Sequence, residues 1–368
     1  MAFLAARQGL IARDDLKSRC YPTLISWRGR MEYPRRPAQH GQTALLEQSD
    51  VAARALTKES IMSSSIRPPK SASPLRLSWL LLSAMCSSIV QAAAFELPAL
   101  NSPASSEHHV GKVVWAELVT PDLAAAERFY GGLFGWTFQT IHSGESDYAL
   151  ASADGRAVGG LFQKSIAPGE HRQSAWLTFI AVRDADAAKR VALTHGAKVV
   201  ADSRTYPARG RQTVLTDPEG AVFAILASSS GDAPDFLATP GEWIWSSLLA
   251  KDPAAEAGFY QEVFGYEVFD LASEDGLEHV ILSSDDYARA SANAFPGGSA
   301  RRHAHWLNFV RVDDTANSTA KAVALGGRVL VEPHADRHGG MVAVVADPAG
   351  APVGLMEWSD TDTKVEPK

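Results

Sequence analysis

An internal repeat at a fixed offset of 130 residues constrains this chain more than any other feature. The segment from Trp115 to Phe129-Tyr130 returns from Trp245 to Phe259-Tyr260. Phe134-Gly135-Trp136 returns as Phe264-Gly265-Tyr266, Trp176-Leu177-x-Phe179 as Trp306-Leu307-x-Phe309, and Asp217-Pro218-x-Gly220 as Asp347-Pro348-x-Gly350. One offset across such widely separated motifs means a duplicated domain with no net insertion. Each copy is also roughly two-fold within itself. Trp115, Trp176, Trp245 and Trp306 each open a strand-like run that leads to an acidic residue and then an Ala-rich amphipathic stretch. The unit reads as strand, helix, several strands, used four times.

Local chemistry agrees with that unit. Asp122 and Asp252 stand where a helix N-cap belongs, just before a helical period begins. Leu123, Ala126, Phe129, Tyr130 and Phe134 recur at three- and four-residue spacing, an apolar stripe that faces a sheet. Gly135 ends this helix. Short alternating runs follow (Tyr148–Ser152, Ala157–Phe162, Thr213–Thr216), bounded by Asp-Gly or Pro-Glu-Gly turns. Gly159-Gly160 reads as a bulge or close-packing point. The fold class is α+β in two tandem domains: 112–228 and 242–358, joined by a linker at 229–241 rich in Ser, Gly, Pro and Asp, with a tail at 359–368.

The first 111 residues differ. Residues 1–61 hold scattered arginines and no sustained period, and are expected to lie upstream of the true start. Residues 62–94 have the layout of a secretory signal peptide: Met62, then Arg67, Lys70 and Arg76, an apolar run Leu77–Val90, and Ala92-Ala93-Ala94 as cleavage site. The apolar run is shorter than the roughly 20 residues a membrane span needs, so no stable span is expected in the mature form. Export to the periplasm or the extracellular space follows as an expectation. Cys86 offers a lipid-anchored alternative, although Met85 is not the small residue that should precede a lipidated cysteine. Residues 95–111 read as a flexible segment. The only other cysteine is Cys20, so the expected mature chain has no disulfide, thiolate nucleophile or Cys-ligated zinc. A net charge of −7 and the lack of a basic aromatic cluster argue against a nucleic-acid partner.

The motifs W-x-E-L-x-T-x-D, FY, LFGW and D-P-x-G resemble the vicinal-oxygen-chelate superfamily of glyoxalase I, bleomycin-resistance proteins and extradiol dioxygenases, in its duplicated glyoxalase-like branch. The resemblance covers nearly everything from Lys112 to Trp358. It implies paired βαβββ modules, each pair a half-open barrel around a cavity. It further implies a divalent metal held by a His or Gln on the first strand, a His on the fifth and a Glu after D-P-x-G. Carried over position by position, these sites are Trp115 and Trp245, Trp176 and Trp306, and Ala224 and Gly354. None ligates a metal, so neither metal nor other cofactor is expected.

What remains at those positions is aromatic. Trp115, Trp176, Trp245 and Trp306 either line cavities that bind a small organic molecule or simply fill the barrels. Glu117, on the Trp115 face, favours a pocket in the first copy and is the one candidate for acid–base catalysis; its counterpart Ser247 is neutral. Thr178 and Asn308 complete the ligand-binding set, with Arg204 and Tyr206 on a loop that also carries Arg209 and Arg211 and can clamp an anion. If one copy binds, the first is expected to. His303 and His305 are placed opposite Trp306, toward the helices or solvent, and His334 and His338 in a Gly- and Pro-flanked loop, with no metal site at either. The leading expectation is a metal-free binding protein. Its rivals are a lyase, isomerase or dioxygenase with an atypical metal site or metal-free acid–base catalysis, and a structural module that forms a homodimer.

Overall fold

Among the described residues each of the four helices begins at an aspartate that caps it. Asp122, Asp184, Asp252 and Asp314 adopt non-helical backbone, and their carboxylates accept N–H groups of the first turn. Gly135 and Gly265 end the first and third helices in the left-handed conformation, with φ of 75° and 70°. The computed structural model describes residues 96–143, 146–164, 174–271, 278–295, 303–336 and 340–358; Met62, Cys86 and the expected leader lie outside them. The first copy runs β1 (Val113–Thr120), α1 (Leu123–Phe134), β2 (Thr137–Ser143), β3 (Ser146–Ala153), β4 (Arg156–Gln163), β5 (Ala175–Ala181), α2 (Ala185–Thr194), β6 (Lys198–Tyr206), β7 (Gly210–Thr216) and β8 (Val222–Ser228). The second runs β9 (Trp243–Ala250), α3 (Pro253–Phe264), β10 (Glu267–Leu271), β11 (His279–Ser284), β12 (Tyr287–Ala294), β13 (His305–Arg311), α4 (Thr315–Ala324), β14 (Arg328–Ala335), β15 (Met341–Ala346) and β16 (Pro352–Met356).

Each copy is one open eight-stranded sheet, ordered β2-β3-β4-β1-β5-β8-β7-β6 and β10-β11-β12-β9-β13-β16-β15-β14. Two four-stranded modules meet where β1 pairs antiparallel with β5, and β9 with β13. The helices cover one face of each sheet and leave the other concave.

The hydrophobic cores do not follow the copies. Leu118, Phe129, Tyr130, Trp136 and Trp176 of the first copy form one cluster with Val310, Ala322, Val345 and Leu355 of the second. Ile180, Phe223 and Ile225 join Phe259, Tyr260, Phe264 and Trp306 in the converse cluster. The sheets touch directly at β5 and β13, with α1 beside α4 and α2 beside α3 on either side.

The repeated motifs wire this interface. Trp176 Nε1 donates to the Tyr130 hydroxyl at 2.9 Å, which donates to Asp347 Oδ2 of the other copy at 3.3 Å. Trp306 Nε1 donates to Tyr260 at 2.8 Å, which donates to Asp217 at 3.1 Å. Each aspartate also accepts the backbone N–H that closes its D-P-x-G turn, from Ala221 and from Ala351. At the centre Thr178 Oγ1 donates to Asn308 Oδ1 at 3.1 Å, and Asn308 Nδ2 lies 3.0 Å from Thr178 Oγ1. These two residues are 130 apart, so the contact sits on the internal two-fold.

Residues 97–109 pack along the first copy instead of hanging free, a correction to the flexible segment expected there. Leu97 and Leu100 are buried, and Leu100 joins the apolar cluster on the concave face of the first sheet. The Leu100 and Asn101 amides donate to Ser230 Oγ, Ser105 N to Ser230 O, and His109 N to Asp232 Oδ2. The first half-barrel thus carries a strap of its own chain over its open face.

Candidate functional site

Strand parity decides which tryptophans can meet a ligand. On β1 and β5, Trp115 pairs with Phe179 and Glu117 with Leu177, all on the concave face; Leu118 pairs with Trp176 on the helix face. On β9 and β13, Phe309 pairs with Trp245 and Leu307 with Ser247, while Trp306 pairs with Leu248. Trp176, Trp306, Thr178 and Asn308 therefore point into the interface between copies, and their expected place in a ligand cavity is corrected. The residues on the concave side at the fifth-strand position are Leu177 and Leu307. A one-residue offset in a period of two moved the assignment to the wrong face.

The concave face of the first copy holds a closed polar network. Glu117 Oε1 accepts from Trp115 Nε1 at 3.2 Å and from the Tyr148 hydroxyl at 3.2 Å, and lies 3.5 Å from Arg209 Nη1. Arg209 is fully buried. It donates through Nε to the Pro98 carbonyl at 2.6 Å and through Nη2 to Tyr148 at 3.3 Å, and its guanidinium lies 4.3 Å from the centre of the Trp115 ring. Burial pushes the Glu117 carboxyl upward, opposed first by the charge of Arg209 and then by bonds from Tyr148 and Trp115. Tyr148 is raised above the usual phenol range by burial and by the neighbouring carboxylate. Gly160 makes room for it, since a Cβ there would lie 1.9 Å from the Tyr148 oxygen. Glu117 was legible in the sequence. Arg209 was visible only as one arginine of a loop, and Tyr148 only as a strand residue; the glycine opposite it was the sole signal.

The second copy replaces charge with hydroxyls. Trp245 Nε1 donates to Ser291 Oγ at 3.1 Å, Asn293 Nδ2 donates to the same oxygen at 2.9 Å, and Ser247 Oγ lies 2.9 Å from it. His279 Nδ1 faces Asn293 Oδ1 at 2.9 Å. Around this floor Ile244, Trp245, Leu249, Leu330, Val331 and Met356 are only partly buried. Their counterparts Trp115, Val119, Val200 and Leu226, at the same offset from Trp245, Leu249, Leu330 and Met356, are buried. The sequence favoured the first copy as the binder. The structure reverses that order of accessibility, because the strap lies on the first face.

The metal implied by the superfamily does not fit either face. In the first copy its positions hold Trp115, Leu177 and Ala224; in the second, Trp245, Leu307 and Gly354. A Cβ on Gly354 would lie 2.1 Å from the Phe309 ring, so a phenyl group fills the slot of the third ligand. One carboxylate already paired with a guanidinium is not a substitute site.

The remaining candidates lie elsewhere. Arg204 stacks over Tyr206 at 4.8 Å on the edge strand β6, and Arg211 forms a two-pronged bond to Asp186 at 2.7 and 2.9 Å. His305 does lie opposite Trp306, but that is the concave side and not the helix side; its ring sits 5.8 Å from Phe295. His303 is exposed. His334 belongs to β14 rather than to a loop, and His338 lies outside the described residues. Glu357 Oε1 accepts the Thr315 amide and so serves the start of α4.

Two open sheets of paired βαβββ modules, helix faces together and concave faces outward, define a duplicated glyoxalase-type protein. The glyoxalase-like domain model matches residues 113–226 and 246–356, and the chain belongs to that family, within the vicinal-oxygen-chelate superfamily. Among its relatives is "Putative glyoxylase CFP32" of Mycobacterium bovis, 30% identical over 251 residues that span 68% of this chain and 95% of the relative. The anthracycline biosynthesis protein DauV of Streptomyces sp. (strain C5) is 29% identical over 259 residues, 67% of this chain and 93% of DauV. Among the solved structures it is similar to is the Mn(II)-bound glyoxalase of Novosphingobium aromaticivorans, 14% identical with a TM-score of 0.48, the match covering 68% of this chain and 83% of that one.

Proposed function

We propose that this is a metal-free, small-molecule-binding member of the glyoxalase-like family, and that the second copy's concave face is its binding face. The observation that carries this reading is the contrast between equivalent walls: Trp115, Val119, Val200 and Leu226 are buried in the first copy, while Trp245, Leu249, Leu330 and Met356 are only partly buried in the second. Partly buried apolar walls around a few ordered polar groups are the usual make-up of a ligand site. The floor of Ser247, Ser291 and Asn293 orients a neutral ligand, and Trp245 offers it a ring edge and face. The names of the relatives, a glyoxylase and an anthracycline biosynthesis protein, are compatible with organic ligands of several classes.

The test is a tryptophan-fluorescence titration with a broad panel of neutral aromatic compounds. Quenching that disappears in Trp245→Ala but persists in Trp115→Phe supports the reading. Quenching by no compound counts against it. A second reading is metal-free acid–base chemistry at Glu117, favoured by a carboxyl pushed upward by burial yet 12% exposed. It requires a turnover that Glu117→Gln abolishes while the fold is kept. For location, the pattern of residues 62–94 supports export, which N-terminal sequencing of the secreted product tests.

A further inference from the structure

We propose that the second concave face selects ligands carrying a hydrogen-bond acceptor oxygen on an aromatic frame, an aryl ketone or quinone, and that the Ser247 hydroxyl is the group that reads it. This rests on that face being the binding face. The inference comes from counting protons at the floor of the site.

A serine hydroxyl has one hydrogen to give and two lone pairs. Both lone pairs of Ser291 Oγ are taken, one by the indole N–H of Trp245 at 3.1 Å and one by the amide N–H of Asn293 at 2.9 Å. With the His279 proton on Nδ1, the Asn293 oxygen accepts from that ring nitrogen at 2.9 Å and its amide nitrogen faces Ser291. The 2.9 Å contact between Ser291 and Ser247 must then use the hydrogen of Ser291, with Ser247 as acceptor. Among the described residues that leaves the Ser247 hydrogen without an acceptor, on a residue that is only 7% exposed. A buried donor in that position costs free energy until something accepts from it.

The first copy has no such vacancy. There Glu117 gathers bonds from Trp115, Tyr148 and Arg209 onto one carboxylate oxygen, and the position of Ser291 in the strand pairing is Gly160. The substitution of a hydroxyl for a carboxylate has thus turned an acceptor site into a donor site. Among the described residues the hydrogen-bonded cluster of Trp245, Ser247, Ser291 and Asn293 includes no carboxylate, guanidinium or ammonium, so it offers an anionic or cationic ligand no counter-charge. A neutral carbonyl is the group that accepts one hydrogen bond and demands no proton in return.

The pair 9-fluorenone and fluorene, which share shape and differ by the carbonyl oxygen, tests this on the full mature chain. Dissociation constants are measured by tryptophan quenching and calorimetry for the wild type and for Ser247→Ala, with thermal unfolding confirming that both are folded. One net hydrogen bond predicts a fluorenone preference of about fivefold to tenfold in the wild type. That preference collapses to about one in Ser247→Ala, while fluorene binding changes little. Equal binding of the two compounds by the wild type, or a preference that survives in Ser247→Ala, overturns the role of Ser247 and leaves the binding face standing. Binding of neither compound, nor of any other member of the panel, removes the binding face and this inference with it. Should Ser247→Ala unfold, Ser247→Cys, a weaker donor of nearly the same shape, is measured instead, and an unchanged preference there is equally fatal.

Discussion

At the scale of single residues, Arg209 and Glu117 show how a buried charge is kept. The guanidinium has no exposure, yet a carbonyl, a phenol, a carboxylate and an indole face surround it. Removing one partner of such a pair costs far more than removing both, because the survivor stays buried and unpaired. Arg209→Met is therefore expected to destabilise the chain by about 3–5 kcal/mol, and Glu117→Gln in the same background to restore a large part of it. Denaturant unfolding of the four members of the cycle measures the coupling; additive losses would show that the pair does not act as one unit. Because the Pro98 carbonyl is bonded to Arg209, the same substitution should also loosen the strap, read as faster amide exchange over residues 97–105.

At the scale of elements, the joints between helices and D-P-x-G turns carry an asymmetry that the repeat hides. Glu219, in the first turn, accepts the Lys251 and Asp252 amides at the head of α3. Glu256, one helical turn on, is buried and feels the negative charge of Asp217. The offset of 130 places Ala126 at the position equivalent to Glu256, and Ala349 at that of Glu219. Burial first, and then the negative charge of Asp217, raise the Glu256 carboxyl to about 9 from an ordinary 4.5; Asp217 is also raised by burial. A carboxyl raised on folding contributes its stability in full below its unfolded value, and that contribution is lost as pH climbs through the folded value. The melting temperature should therefore fall between pH 5 and pH 9, about the span of the shift, and Glu256→Gln should flatten the fall. Melting curves across that range decide it; parallel curves for the two proteins would mean that Glu256 titrates normally.

At the scale of the whole molecule, each copy depends on the other for its core. Tyr130, Leu133, Trp136 and Trp176 pack against β13, α4, β15 and β16 of the second copy, and Trp136 Nε1 donates to Gly241 O at 2.6 Å. An isolated first copy, residues 96–232, would present this surface to water. Apolar area of that size is worth ~25 cal/mol per Å², enough to decide whether a domain of such length folds. It is expected not to exist as a folded monomer, but to self-associate through the face that normally meets its partner. Gel filtration with light scattering checks this, and a monomer with cooperative unfolding would contradict it.

Much of this was legible in the residues because it follows from local rules. The aspartate caps, the glycine ends of α1 and α3, the apolar stripe of α1 and the duplication itself depend on neighbours within a few positions or on simple self-similarity. At the family's metal positions the sequence offered Trp176 and Trp306 on the fifth strand, and the strand pairing moved that position to Leu177 and Leu307. The facing of Trp176 was not legible, because one residue of register exchanges core for cavity and no local signal fixes that register. Nor could the sequence show that residues 97–109 pack over the concave face of the first copy. Strap and sheet meet through Ser230 and Arg209, more than a hundred residues away, and contacts at that distance are made by the tertiary fold. The sequence by itself determined four similar modules with their helix caps and apolar stripes; only the packing of those modules decided which tryptophans are structure and which meet the solvent.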